Sequence, residues 1–169
     1  GETLLSERNV LTNKAILSGD IQQNDTDANN DDIIAVADVV GNNSKHVVTS
    51  IGTNMNTRLD GFIITAGRSS GNSFNTDIGG GMFNQGGTLT VANCTFIGNY
   101  AKDGGGMFNR NSTPLVVNCS FLGNAAASDG GGMYNDFVSP TILNCIFSGN
   151  RAGFDGGGLF NRSCSPAVT

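Results

Sequence analysis

Six residues, GGGMFN at 79–84, return as GGGMFN at 104–109, GGGMYN at 130–135 and GGGLFN at 156–161, at spacings of 25, 26 and 26 residues. Glycine loses more freedom on ordering than any other residue, so three in a row at fixed intervals meet a structural demand that outweighs this cost. A second block keeps step with the first. NCTFIGN at 93–99, NCSFLGN at 118–124 and NCIFSGN at 144–150 each begin nine residues after the Asn of the preceding glycine motif. Self-similarity at a fixed period of this length marks a repeat architecture in which each unit buries its apolar face against its neighbours.

Within one unit three short runs stand between turn residues: GGMFN, an alternating stretch such as Thr88 to Val91, and CTFIG. Runs rich in Val, Ile, Phe and Thr bounded by Gly, Asn, Asp, Ser and Pro read as strands, and no helical stripe competes with them. Three strands per 25–26 residues predict one rung of a parallel β-helix. Rungs stack about 4.8 Å apart, so residues one period apart become neighbours and columns of sequence become ladders in space. Cys94, Cys119 and Cys145, followed two positions on by Phe96, Phe121 and Phe147, are expected to face inward with Met82, Met107, Met133 and Leu159. Phe83, Phe108, Tyr134 and Phe160 form a further aromatic column whose facing the sequence leaves open, since Tyr tolerates either side.

The bias toward 25 Gly and 22 Asn in 169 residues follows from the same geometry. Glycine allows tight corners with positive φ. Asn84, Asn109, Asn135 and Asn161 form one asparagine column, Asn93, Asn118 and Asn144 a second, and Asn99, Asn124 and Asn150 a third, each able to bond its own backbone or its counterpart a rung away. Upstream, GFIITAG at 61–67 fits the NCTFIGN block if Phe62 takes the Cys place and Ile64 the Phe place. HVVTS at 46–50 supplies the strand before it, and AILSGDI at 15–21 belongs to an earlier rung. The expectation is an all-β single domain over 1–169, irregular with loop insertions over 1–78 and regular over 79–169. Five to six rungs give a rod roughly 25 Å long. The first residue is Gly1 and the last, Thr169, falls partway through a repeat, which predicts a piece of a longer polypeptide.

These residues resemble a known group. FIGN, FLGN and FSGN fit an FxxN motif, and GGGM or GGGL resembles a GGA-plus-aliphatic motif; together they are the paired signature of the polymorphic outer-membrane protein repeats of chlamydiae, from which GGGM departs at the third letter. The chain from residue 7 to 169, including ERNVLTNKAILSGDIQQND, NSKHVVTS and RLDGFIITAG, is similar to the broader group of bacterial secreted right-handed parallel β-helix repeat proteins with varied surface anchors. The resemblance implies a right-handed parallel β-helix and a secreted or cell-surface setting in bacteria. It implies little about activity, because a fold does not fix a function.

Composition excludes some classes. A net charge of −5 with nine scattered basic residues argues against nucleic acid, and no apolar run approaches the ~20 residues of a membrane-spanning helix. Cys164 falls outside the cysteine column, whose odd count and in-register geometry suit buried free thiols better than disulfides. His46 is the one histidine and lies far from the cysteines, and no CxxC occurs, so metal binding at the cysteines is not expected. Asp103, Asp129 and Asp155 precede glycine triplets and are expected to stack, each accepting N–H groups of its own glycine turn, with a cation offsetting the stacked carboxylates as the alternative. Gln85, Arg110, Asp136 and Arg162 alternate in sign and read as a surface ion-pair ladder. Asp25, Asp27, Asn29 and Asp32 follow a D-x-D-x-N-x-x-D spacing that can wrap oxygens around Ca²⁺; they lack the Gly and Glu of an EF-hand loop, and a solvated acidic loop is the alternative. No catalytic residue and no required cofactor is expected. The functional expectation is a non-enzymatic adhesive or structural scaffold meeting other protein chains or surface glycans, with end-to-end or side-by-side self-association. The alternative is a polysaccharide-binding or polysaccharide-degrading segment.

Overall fold

A computed structural model describes residues 15–25, 36–70 and 76–169. Apart from one short 3₁₀ turn at Val36–Asp38, the regular structure among them is β-strand, and every strand-to-strand pairing is parallel. The chain is a parallel β-helix. A regular rung runs through Met107–Arg110, Leu115–Val117, Ser120–Leu122 and Ala125–Ala126 before entering the next glycine triplet. Each strand pairs in register with its counterpart one repeat on: Met107 with Met133, Val116 with Ile142, Phe121 with Phe147, Ala126 with Ala152.

Three of the sheets so formed have five strands and the fourth has three. Five stacked rungs therefore lie among the described residues, and four strands per rung replace the three read from sequence. The extra strand, at Tyr100–Ala101, Ala125–Ala126 and Arg151–Ala152, is two residues long. A pair of residues carries no hydrophobic period, so this strand had no sequence signature. Upstream, Ile64 pairs with Phe96 and Leu17 with Ile64, extending the phenylalanine column into aliphatic residues. Between Arg68, bridged to Tyr100, and Ile78, bridged to Asp103, the chain advances ten residues where the regular rung advances three.

Four corners separate the strands of a rung, and each holds a residue in the left-handed region. In the rung beginning at residue 104 these are Gly104 (φ 66°), Asn111 (48°), Asn118 (54°) and Gly123 (58°). Gly and Asn enter that region at least cost, which ties the composition directly to the number of corners. The second glycine of the triplet has a different reason. A Cβ on Gly105 would stand 2.3 Å from the Ala125 carbonyl oxygen and 2.6 Å from that of Gly131, so the backbone passes too close for any side chain.

The interior is a set of stacked columns: Met82, Met107 and Met133; Val91, Val116 and Ile142; and Phe96 and Phe121, all fully buried, with Phe147 packed beneath them. Phe96, Phe121 and Phe147 lie 4.8 Å apart with ring planes within 5° of parallel. Free ring pairs favour offset or edge-to-face contact. Here the spacing of the strands holds the rings parallel, and burial of each ring, on the order of 2–3 kcal/mol, maintains the stack.

Candidate functional site

Two of the three asparagine columns lie inside the coil and serve the stack. Asn84, Asn109 and Asn135 are inaccessible to solvent; each donates its Nδ2 to the Oδ1 of the next, at 3.1 Å, 2.9 Å and, to Asn161, 2.9 Å. Asn124 Oδ1 accepts both the backbone N–H and the Nδ2 of Asn99, while Asn124 Nδ2 donates to the Phe96 carbonyl and to Asn150 Oδ1. These contacts fix the amide orientation, because the backbone N–H demands an acceptor and the carbonyl demands a donor. Asn93, Asn118 and Asn144 form the third ladder, exposed at a left-handed corner and joined by longer bonds of 3.3 Å and 3.4 Å.

Cys94 and Cys119 are buried and Cys145 is half-buried, all as free thiols. Each Sγ donates to a backbone carbonyl two residues back, at 3.1–3.3 Å. Hydrogen bonding shared with Cys145 and Cys94, together with burial, pushes the Cys119 thiol well above its ordinary pKa, so it stays protonated as a small apolar filler. Cys164 stands apart, half-buried, its thiol directed at the Asn135 carbonyl. Of the four residues of the acidic segment, Asp27, Asn29 and Asp32 fall outside the described residues. Asp25 already accepts the Val40 backbone N–H on one carboxylate oxygen and Asn43 Nδ2 on the other, both at 2.7 Å. No cluster of three His, Cys, Asp or Glu side chains arranged for a metal occurs among the described residues.

The aromatic column next to the methionines settles the orientation the sequence left open. Strand alternation turns it away from the methionine core, yet Phe83, Phe108 and Tyr134 are buried, as a second apolar cluster with Ile78 and Phe160. Its ring centroids lie 4.8–6.2 Å apart, Phe108 and Tyr134 stacked and the outer pairs tilted, and His46 caps the column by stacking on Phe83 at 5.4 Å while its Nδ1 contacts the Gly79 carbonyl.

Over this column runs a groove of about 440 Å³, within the size range of small-ligand clefts. Phe108, Tyr134 and Phe160 make its floor. On one side stand Asp103 and Asp129, and here the structure corrects the sequence reading. Each carboxylate accepts the backbone N–H of the Asp one rung on (Asp129 to Asp103 at 3.2 Å, Asp155 to Asp129 at 2.9 Å) instead of its own glycine turn, because in-register stacking presents that N–H directly over the side chain. Burial raises the Asp103 pKa, against the stabilising N–H of Asp129.

On the other side stands the charged column. Arg110 Nε pairs with Asp136 Oδ2 at 3.2 Å, and Arg162 Nη1 lies 3.8 Å from Asp136 Oδ1. The alternation read from sequence is present, but Asp136 is only 5% exposed, so the ladder is not a surface one at its centre. Its Oδ1 is buried without a hydrogen-bond partner among the described residues. Burial pushes the Tyr134 phenol above its ordinary value, against a hydrogen bond from Arg162, and keeps it neutral. The column of residues after these charges was the signal available in sequence for this region: Gly86 and Asn111 suit a left-handed corner, whereas Phe137 and the smaller Ser163 depart from them.

No family model matches this chain. Neither a curated protein nor a solved structure matches it. No helix among the described residues is long and apolar enough to cross a membrane.

Proposed function

We propose that this chain is a non-enzymatic, extracellular or cell-surface β-helix module that serves as an adhesive or structural scaffold. The observation that carries this reading is the use made of its repeated polar side chains. The interior asparagines and the Asp103–Asp129–Asp155 column are spent on rung-to-rung hydrogen bonds. What selection has repeated in this sequence is therefore the means of stacking, and a stack of this kind holds a long face rigid for contact with other chains or glycans. The motif resemblance to secreted bacterial β-helix repeats supports the exported setting.

A second reading, polysaccharide binding or cleavage, is favoured by one observation: the groove carries Asp103, raised by burial, on one side and the paired Asp136 on the other. Two carboxyl groups in different environments are what acid–base hydrolysis of a glycoside requires. Incubation with neutral and uronic-acid polysaccharides, followed by chain-length analysis, separates the two. The scaffold reading expects an unchanged length distribution; new reducing ends or unsaturated products overturn it. Calcium at the acidic segment of Asp25, Asp27, Asn29 and Asp32 belongs to the same proposal. A rise in melting temperature with excess Ca²⁺, reversed by chelator, supports it, and an unchanged melting temperature removes it.

A further inference from the structure

The geometry points to a saccharide subsite on the outer face of the coil, centred on Asp136, Phe137 and Arg162 and selective for neutral sugars. It rests on the scaffold reading and names the class of ligand that the groove would hold.

Phe137 sits in the left-handed region (φ 54°), where its column mates are Gly86, Asn111 and Ser163. A bulky side chain there is strained, and such strain persists where the surrounding structure holds it and a role retains it. Packing does not supply the reason, since Phe137 is 59% exposed. Its ring instead lies under the Arg162 guanidinium, 5.5 Å from Cζ to the ring centroid, beside the groove and next to its lining residues Asp136 and Arg162.

An independent feature lies one residue away. Asp136 lines the groove with a buried Oδ1 that lacks a hydrogen-bond partner among the described residues, and the 3.8 Å to Arg162 Nη1 is too long to supply one. A buried acceptor without a partner is costly. The group that completes it must be a donor, such as a sugar hydroxyl; a carboxylate presented there would set acceptor against acceptor.

Charge selects in the same direction. Lys102, Arg110 and Arg162 balance Asp103, Asp129 and Asp136 along the groove, so no net field favours an anionic or a cationic ligand. An uncharged pyranose meets all three demands. One hydroxyl donates to Asp136 Oδ1, a neighbouring oxygen accepts from Arg162 or from the neutral Tyr134 phenol, and the C–H face of the ring lies on the exposed Phe137.

The test uses saturation-transfer NMR on the whole chain with three probes: a panel of neutral gluco-, manno-, galacto- and xylo-oligosaccharides, an oligogalacturonate, and a Lys/Arg-rich peptide. Binding of at least one neutral oligosaccharide is expected. Phe137→Gly removes the ring at a backbone conformation that glycine adopts freely, so it is expected to weaken binding about tenfold, equivalent to about 1.4 kcal/mol, without lowering the melting temperature. Asp136→Asn is expected to weaken binding by a similar factor. The proposal is overturned if no neutral oligosaccharide binds, if only the uronate or the peptide binds, or if Phe137→Gly binds as tightly as the parent chain. Any of these leaves the scaffold reading intact, whereas cleavage of a bound oligosaccharide sinks the scaffold reading on which the subsite rests.

Discussion

Replacing Asn124 by alanine removes the side chain that joins three rungs. Its Oδ1 accepts from the Asn99 backbone N–H at 3.1 Å and from Asn99 Nδ2 at 3.0 Å; its Nδ2 donates to the Phe96 carbonyl at 2.9 Å and to Asn150 Oδ1 at 3.0 Å. Two neighbours keep a partner after the change: Asn99 Nδ2 still reaches the Ile64 carbonyl, and Asn150 Oδ1 still accepts the backbone N–H of residue 124. The Asn99 N–H loses its side-chain acceptor in a place without solvent access. Four hydrogen bonds at a net ~1 kcal/mol each amount to about 4 kcal/mol, before any penalty for the stranded N–H. For a chain of this size that corresponds to a fall in melting temperature of about 8–16 °C. Urea unfolding followed by far-UV circular dichroism measures the loss directly. Asn118→Gly is the matched control, because it sits at an exposed left-handed corner with φ 54° and bonds Asn93 at 3.3 Å; its change should stay within about 0.5 kcal/mol. A cost below about 1 kcal/mol for Asn124→Ala, or an equal cost for both variants, would refute the view that the interior amides hold the rungs together.

Three further outcomes are expected. Ser50 occupies the register position next to Asn84, whose buried Oδ1 has no hydrogen-bond partner among the described residues, so Ser50→Asn should extend the ladder by one donor and stabilise the chain by about 1 kcal/mol in the same urea assay. Gly105→Ala places a Cβ against two carbonyl oxygens and should cost at least about 2 kcal/mol or prevent folding, read as loss of soluble protein or of the cooperative transition. Burial raises the Asp103 pKa, so the folded chain holds that proton more tightly than the unfolded one. Its contribution to stability is full below the ordinary carboxylate range and is lost as pH rises through the raised folded value. Asp103→Asn keeps an acceptor for the Asp129 N–H and should flatten that part of the stability–pH curve while raising stability at neutral pH, and a curve parallel to that of the parent chain would contradict the assignment.

The fold was legible because the repeat places chemically demanding residues in columns: a triplet of glycines, a Cys-x-Phe pair and three sets of asparagines admit few arrangements other than in-register stacking. Ile64 could be placed opposite Phe96 for the same reason. The details that escaped are those in which atoms from different rungs decide. Tyr100–Ala101 is too short to announce itself as a strand. All three asparagine columns look alike in sequence, yet two are interior and one is an exposed corner. Asp103 chose the N–H one rung away over those of its own turn. The groove was the least legible part, since the burial of Asp136 and the strain at Phe137 arise only when residues 26 positions apart are brought side by side.

The interior amides all point the same way: from Asn84 to Asn109 to Asn135 to Asn161, and from Asn99 to Asn124 to Asn150, the earlier rung gives the hydrogen and the later one receives it. The coil accordingly has a head and a tail, and any whole rung can follow any other because the joint between them is always the same. A gene encoding such a chain can lengthen or shorten by complete units without inventing a new junction, whereas an inverted or fractional unit would set like against like at the seam.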